Sequence, residues 1–144
     1  MNDGATELDM VINIGALIDK DYETIELEIA SIVGLAHAHE AIVKVILETA
    51  YLDDAQKAIA AQISVAAGAD YVKTSTGFAP EGATIEDVKL LRQVVGDKAK
   101  VKASGGIRTL DDALAMIAAG ASRLGTSSTA EILADLRRRR GEEA

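Results

Sequence analysis

Asp70-Tyr71-Val72-Lys73-Thr74 is a short run with a lysine near its centre, preceded by Gly68-Ala69 and followed by Ser75-Thr76-Gly77. Its length, its tyrosine and valine, and the glycines on both sides predict a β-strand. A charge inside a strand buried on both faces is costly unless it finds partners or solvent. The sheet that can accept Lys73 therefore decides the fold.

Working outward, the same strand-then-helix unit recurs. Strands are predicted at 8–14 (LDMVINI), 41–47 (AIVKVIL), 70–74, 100–103 (KVKA) and 122–125 (SRLG). Helices are predicted at 22–38, 53–67, 84–95, 109–119 and 129–140. Thr84 with Asp87 and Thr109 with Asp112 have the spacing of N-caps with an acid three residues on. Gly68, Gly96 and Gly120 stand where helices stop. Gly4-Ala5-Thr6, Gly68-Ala69-Asp70 and Gly120-Ala121-Ser122 each precede a strand, a weak internal echo at the period of a βα unit. Alternating βα units imply a parallel sheet.

The composition agrees. The 144 residues fit one domain, 1–144. Hydrophobic residues make up 49% but aromatics only 3%, so Val, Ile, Leu and Ala carry the core, as in parallel strands covered by helices. One proline and 26% charged residues argue against disorder. A net charge of -8 argues against a nucleic-acid partner. No apolar run approaches the roughly 20 residues of a membrane span, and the start lacks a basic-then-apolar leader. Cysteine is absent, which excludes disulfides and fits a cytoplasmic location.

A parallel βα sheet is either a closed barrel or an open doubly wound sheet. Asp9, Lys44, Lys73 and Lys102 all fall within predicted strands. Alternation puts Asp9, Val11 and Asn13 on one side of their strand, and Tyr71, Lys73 and Ser75 on one side of theirs. A barrel lumen that opens at its C-terminal face gives such charges partners and solvent. Four of them aimed at one lumen would make a site.

Five segments carry a family resemblance. They are Glu7-Leu8-Asp9-Met10-Val11-Ile12-Asn13-Ile14-Gly15-Ala16-Leu17, Lys44-Val45-Ile46-Leu47-Glu48-Thr49, Asp70 through Phe78 (DYVKTSTGF), Val101-Lys102-Ala103-Ser104-Gly105-Gly106-Ile107-Arg108, and Leu124-Gly125-Thr126-Ser127-Ser128. In that order they resemble the deoxyribose-phosphate aldolases, class I (Schiff-base) aldolases on a TIM (β/α)8 barrel. The resemblance runs from about Gly4 to Ile132. Members of that family have three more strands before the one that matches Asp9, and Met1-Asn2-Asp3-Gly4 looks like the middle of a helix-to-strand connection. The resemblance thus implies a partial barrel of about five parallel βα units. An open edge at its first strand would be a template for pairing with another chain.

The resemblance also assigns roles. Lys73 is the carbonyl-attacking lysine. An amine attacks only when neutral, and burial and a second cation both disfavour the charged form. Lys102, on the adjacent strand, is placed to be that cation and a proton relay, with Asp9 as proton donor and acceptor through water. Lys44 either orders the substrate site electrostatically or balances Glu48 and Asp9. Phosphate is expected at Thr76, Gly77, Gly105, Gly106, Gly125, Ser127 and Ser128, where loop amides and a helix N-terminus approach an anion. Some relatives carry a lysine where Phe78 stands, so a weaker cationic contribution is expected here.

His37 and His39 stand near a helix end with no carboxylate in a ligand-like spacing, which is weak evidence for metal, and no metal or organic cofactor is expected. Arg137 to Arg140 suit the C-terminal end of a helix dipole and read as a solvated tail. The implied reaction is reversible cleavage of 2-deoxyribose 5-phosphate to acetaldehyde and D-glyceraldehyde 3-phosphate, a step of carbohydrate and deoxyribonucleotide breakdown. Two other readings are a catalytically weak or inactive fragment that needs a partner chain or self-association to fold, and a different Schiff-base or phosphate-binding barrel enzyme. The expected partners are a small phosphorylated sugar or aldehyde and, across the exposed barrel edge, another copy of the chain.

Overall fold

The computed structural model describes residues 3–142, so Met1 and Asn2 of the expected connection lie outside the described residues. Five strands, β1 (Glu7–Val11), β2 (Ile42–Ile46), β3 (Tyr71–Lys73), β4 (Lys100–Ser104) and β5 (Arg123–Gly125), form one sheet. The helices are α1 (Ile14–Ile18), α2 (Tyr22–His37), α3 (Asp54–Ala66), α4 (Ile85–Val95), α5 (Leu110–Ala118) and α6 (Thr129–Arg140), with a 3-10 turn at Thr49–Tyr51. All four strand pairings are parallel, and the spatial order is the sequence order. A doubly wound sheet would reverse its order at a switch point. This one does not, so its crossovers wind one way, as in a barrel.

The local reasons are visible. The Asp53 side chain accepts from the Gln56 amide and the Gln56 side chain from the Asp53 amide, which starts α3. Thr109 and Asp112 make the same reciprocal pair at α5. Thr84 accepts from the Asp87 amide at α4. Gly4, Gly68 and Gly120, the echo before three strands, all have φ between 88° and 114°, a region open mainly to glycine.

The outer face of the sheet is apolar. Val43, Val45, Val72, Val101 and Ala103 are fully enclosed, together with Ile25 and Ile29 of α2 and Val88 and Leu91 of α4. Each enclosed valine contributes about 1.5–3 kcal/mol. Alternation sends Lys44, Lys73 and Lys102 to the opposite, concave face.

That concavity can be demonstrated. Glu7 Oε2 of β1 lies 2.6 Å from Arg123 Nη1 of β5. In a flat sheet those strands would stand roughly 19 Å apart, four spacings of about 4.8 Å. Two side chains cannot span that distance, so the sheet curls until its first and last strands face each other. The result is an arc of five βα units from a (β/α)8 barrel.

One strand assignment changes. Residues 8–14 were expected to be extended with Asn13 facing the same side as Asp9. β1 ends at Val11, and Asn13 instead caps α1, its Oδ1 accepting from the Ala16 amide at 3.1 Å. Asparagine competes for backbone amides in this way. Among the described residues no helix is long and apolar enough to cross a membrane.

Candidate active site

Asp9 is the centre of the concave face. Its Oδ1 accepts from Lys44 Nζ at 3.0 Å. Its Oδ2 accepts from both Lys73 Nζ at 2.6 Å and Lys102 Nζ at 3.1 Å. Parallel register explains the convergence: Asp9 pairs with Lys44 across β1 and β2, and Lys73 with Lys102 across β3 and β4. Neighbours in register point to the same side of a sheet.

Three ammonium groups thus meet one carboxylate. Burial works to raise the Asp9 pKa, but the hydrogen bonds from Lys73, Lys44 and Lys102 outweigh it and hold the carboxyl far below the usual range. Lys102 is displaced downward. Burial is the main cause, the charges of Lys73 and Lys44 add to it, and Asp9 opposes it through both its hydrogen bond and its charge. For Lys44, burial also works downward, but its bonds to Glu7 and Asp9 prevail and its pKa is raised. The cluster therefore holds Lys44 as a cation and eases proton loss from Lys102.

Beside the cluster lies a cavity of about 400 Å3, lined by Lys73 and Lys102 and by the loops that follow β3, β4 and β5. This is the C-terminal face of the arc, where barrel enzymes place their chemistry. The volume falls within the range of small-molecule sites. Another cavity, of about 330 Å3, opens at the opposite strand ends around Asp70, Tyr71 and Lys100. Beside it, Asp70 Oδ2 lies 2.9 Å from His37 Nε2 and accepts from the Val43 amide at 2.8 Å, contacts that brace the sheet.

The loops around the cavity at the C-terminal strand ends are locked together. Thr74 Oγ1 donates to the Ser104 carbonyl and accepts from the Ser104 amide, both at 3.1 Å. Ser104 Oγ donates to the Ser75 carbonyl at 2.6 Å. The Ala83 amide lies 3.0 Å from both the Ser104 and the Gly105 carbonyl oxygens. The backbones come so close that a Cβ on Gly82 would sit 2.3 Å from the Gly105 carbonyl. Gly82 is thus required by contact rather than by its own torsions.

Of the residues expected from sequence, Lys73, Lys102, Thr76, Gly77, Gly105, Gly106, Gly125 and Ser127 line this cavity. Asp9 lies just beneath, bonded to both lysines. Lys44 does not line it. Its side chain is 3% exposed, and Nζ is held by Glu7 Oε2 at 2.8 Å and by Asp9. Glu48, the other carboxylate expected beside Lys44, turns instead to Thr76. Ser128 also stands off the cavity. Its amide donates to Thr126 Oγ1 at 2.9 Å, and it precedes α6, the one α-helix among the described residues without a side-chain cap.

Sequence reasoning missed Arg108. It lines the cavity, is exposed, and has no carboxylate within 4.0 Å of its guanidinium among the described residues. Its amide and that of Thr109 donate to Asp112 Oδ2, which occupies the start of α5. The signal was present, an arginine directly after Gly105-Gly106-Ile107, yet it was read only as part of a strand motif.

A curled parallel sheet of βα units with two lysines and a carboxylate gathered on its concave face defines the class: a partial (β/α) barrel with a charged cluster beside its C-terminal mouth. Residues 1–133 match the DeoC/LacD family aldolase domain, and the chain belongs to that family. A deoxyribose-phosphate aldolase of Thermococcus kodakarensis is 59% identical over 133 residues, 92% of this chain and 59% of the relative. One from Caldicellulosiruptor saccharolyticus is 58% identical, again over 92% of this chain and 61% of the relative. The chain therefore spans about three-fifths of the length of these relatives. Among solved structures, the aldolase QR15 superposes with a TM-score of 0.91 at 43% identity, over 99% of this chain and 64% of its own. The tetrameric deoxyribose phosphate aldolase of Aeropyrum pernix superposes with a TM-score of 0.86 at 39% identity, over 94% of this chain and 57% of its own.

Proposed function

We propose that the chain, as a single partial-barrel domain, provides the Schiff-base centre of a 2-deoxy-D-ribose-5-phosphate aldolase that needs no metal or organic cofactor. The observation that carries this reading is the meeting of Lys73 and Lys102 on one oxygen of Asp9 at the wall of the cavity.

Neutral Lys73 attacks the aldehyde carbon of the open-chain sugar. The carbinolamine loses its hydroxyl as water, leaving an iminium on Nζ. A base takes the proton of the hydroxyl on the carbon that becomes the carbonyl carbon of the departing aldehyde. The C–C bond then breaks, its electron pair passes into the iminium as an enamine, and glyceraldehyde 3-phosphate leaves. A proton returns to the enamine carbon, and water hydrolyses the iminium to acetaldehyde and Lys73. Asp9 and Lys102 exchange the protons through a bridging water, a distance general acid–base groups can serve. Turnover of 2-deoxyribose 5-phosphate, read as acetaldehyde released, tests this. A folded chain that releases none contradicts it.

The phosphate belongs, on this reading, with Gly77, Gly105, Gly106, Ser127 and the open N-terminus of α6. Arg108 supplies the cation that Phe78, 97% exposed, does not. Arg108→Ala is expected to raise KM for the phosphorylated sugar about fivefold to tenfold, the worth of one solvent-exposed charge-assisted bond. kcat should change little, and KM for unphosphorylated 2-deoxyribose should not move. Steady-state kinetics on both sugars check this.

Self-association is part of the proposal. The relative from Aeropyrum pernix is tetrameric. Here Val11 of the edge strand and Leu27 and Leu35 of α2 are about half-exposed or more, apolar surface that a second copy would cover. A dimer or larger species is expected by sedimentation at micromolar concentration. A monomer at every concentration tested would exclude it.

A further inference from the structure

Among the described residues two carboxylates are buried, Glu48 and Asp87. Asp87 is paired with Lys57 at 2.7 Å. Glu48, 5% exposed, has no cation within 4.0 Å. A buried carboxylate without a cation is expensive unless hydrogen bonds satisfy it. Both Glu48 oxygens are spent on one residue: Oε1 accepts from the Thr76 amide at 3.1 Å, and Oε2 accepts from the Thr76 hydroxyl. Thr76 Oγ1 accepts in turn from the Phe78 amide at 3.1 Å.

Glu48 is itself held in an unusual conformation. Its φ of 56° and ψ of 61° are left-handed, a region sparsely populated outside glycine. The residues on either side are fastened to β3, the Leu47 amide to the Lys73 carbonyl and the Thr49 amide to the Thr74 carbonyl, both at 2.9 Å. The chain thus accepts backbone strain where it aims a buried acid at a single turn. Such outliers concentrate at functional sites. The turn, Thr76-Gly77-Phe78, contributes Thr76 and Gly77 to the cavity wall shared with Gly106 and Ser127, and Gly77 has a φ of +99°.

We propose that Glu48 is a positioning residue. It touches no substrate, but it fixes the Thr76-Gly77-Phe78 turn so that Gly77 forms one wall of an anion subsite. It thereby sets the preference for phosphorylated over unphosphorylated substrates. The inference rests on the aldolase reading for the identity of the substrate, but not for the anion subsite itself.

The test uses inorganic phosphate as probe, titrated into 15N-labelled chain, with Glu48→Ala and the milder Glu48→Gln beside it. In the unsubstituted chain the amides of Gly77, Gly106 and Ser127 should shift with phosphate. Glu48→Ala should weaken phosphate binding about tenfold and lose the Gly77 shift while keeping those of Gly106 and Ser127. Glu48→Gln, which still offers Thr76 an acceptor oxygen, should recover most of the affinity. In parallel, acetaldehyde, which carries no phosphate, is trapped on Lys73 with borohydride. Its yield should change less than about twofold in either variant, because removing a positioning residue acts on phosphate binding rather than on amine chemistry.

Equal phosphate affinity in all three chains overturns the proposal. So does a parallel loss of phosphate binding and acetaldehyde trapping, which would make Glu48 a structural residue only. So does an unsubstituted chain that binds no phosphate. If that chain binds phosphate as described but forms no adduct with acetaldehyde, the aldolase reading fails and the positioning role stands.

Discussion

Replacing Lys73 with methionine is expected to lower turnover of 2-deoxyribose 5-phosphate on the order of ten-thousandfold or more, because loss of a covalent nucleophile is seldom compensated by its neighbours. Methionine keeps the length and packs where the lysine stem packs. Asp9 keeps two cations, Lys44 and Lys102, so no buried charge is stranded. Stability should therefore change by no more than about 1 kcal/mol. Activity lost without stability lost separates a chemical role for Lys73 from a structural one. Denaturant titration alongside steady-state kinetics makes the comparison. Lys102→Met is the matched control: it leaves the nucleophile in place and should slow turnover without abolishing adduct formation.

Asp9→Asn is the second large effect, and it acts on both quantities. Turnover should fall about a hundredfold to ten-thousandfold, the usual contribution of a general acid–base group. The fold should lose about 2–4 kcal/mol, because Lys73 and Lys102, with side chains only 10% and 15% exposed, are left without a carboxylate. The sign with pH follows from Asp9. Its pKa is depressed in the folded chain. Its contribution is thus fully present above the unfolded carboxylate value of about 3.9 and is lost as pH falls through the lower folded value. The stability gap between parent and variant should be full at pH 7 and shrink in acid. At the alkaline end Lys102 governs. A lysine whose folded pKa is lowered adds stability as pH rises from that folded value towards about 10.4. Asp9 is the one group that raises Lys102, so in Asp9→Asn that window should open at lower pH. NMR titration of the Lys102 side chain reads this directly. A Lys102 midpoint that stays put, or moves up, would contradict the electrostatic picture of the cluster.

The difference between what the sequence revealed and what it concealed is one of range. The five βα units were legible because their signals are local: caps at Thr84 and Thr109, apolar strands of four to seven residues, glycine stops at Gly68, Gly96 and Gly120. Alternation placed Asp9 and Lys73 each on one side of its strand, but that Asp9, Lys44, Lys73 and Lys102 share the concave face depends on the register between strands. The short helix α1 was hidden because five residues give no helical period, and Asn13 looked like one more strand position until its side chain was seen to cap Ala16. Partner choice was hidden as well. Lys44 was expected either to order the substrate site or to balance Glu48 and Asp9; it takes Glu7 and Asp9. Glu48 follows Lys44 within one strand-and-turn segment, but the left-handed step at Glu48 turns its side chain towards β3. The brace between Glu7 and Arg123 could not be read either, because it joins the first strand to the last and exists only once the sheet has curled. Arg108 went unrecognised because a loop arginine gains meaning only from the cavity it borders.

The most direct measurement is the site of the covalent adduct. The chain is incubated with 2-deoxyribose 5-phosphate or with concentrated acetaldehyde, reduced with borohydride, digested, and mapped by peptide mass spectrometry. The expected result is one reduced adduct on Lys73, absent from Lys73→Met and present in Lys102→Met. An adduct on Lys102 instead, or none on a chain shown to be folded, would contradict the assignment of Lys73 as the attacking amine.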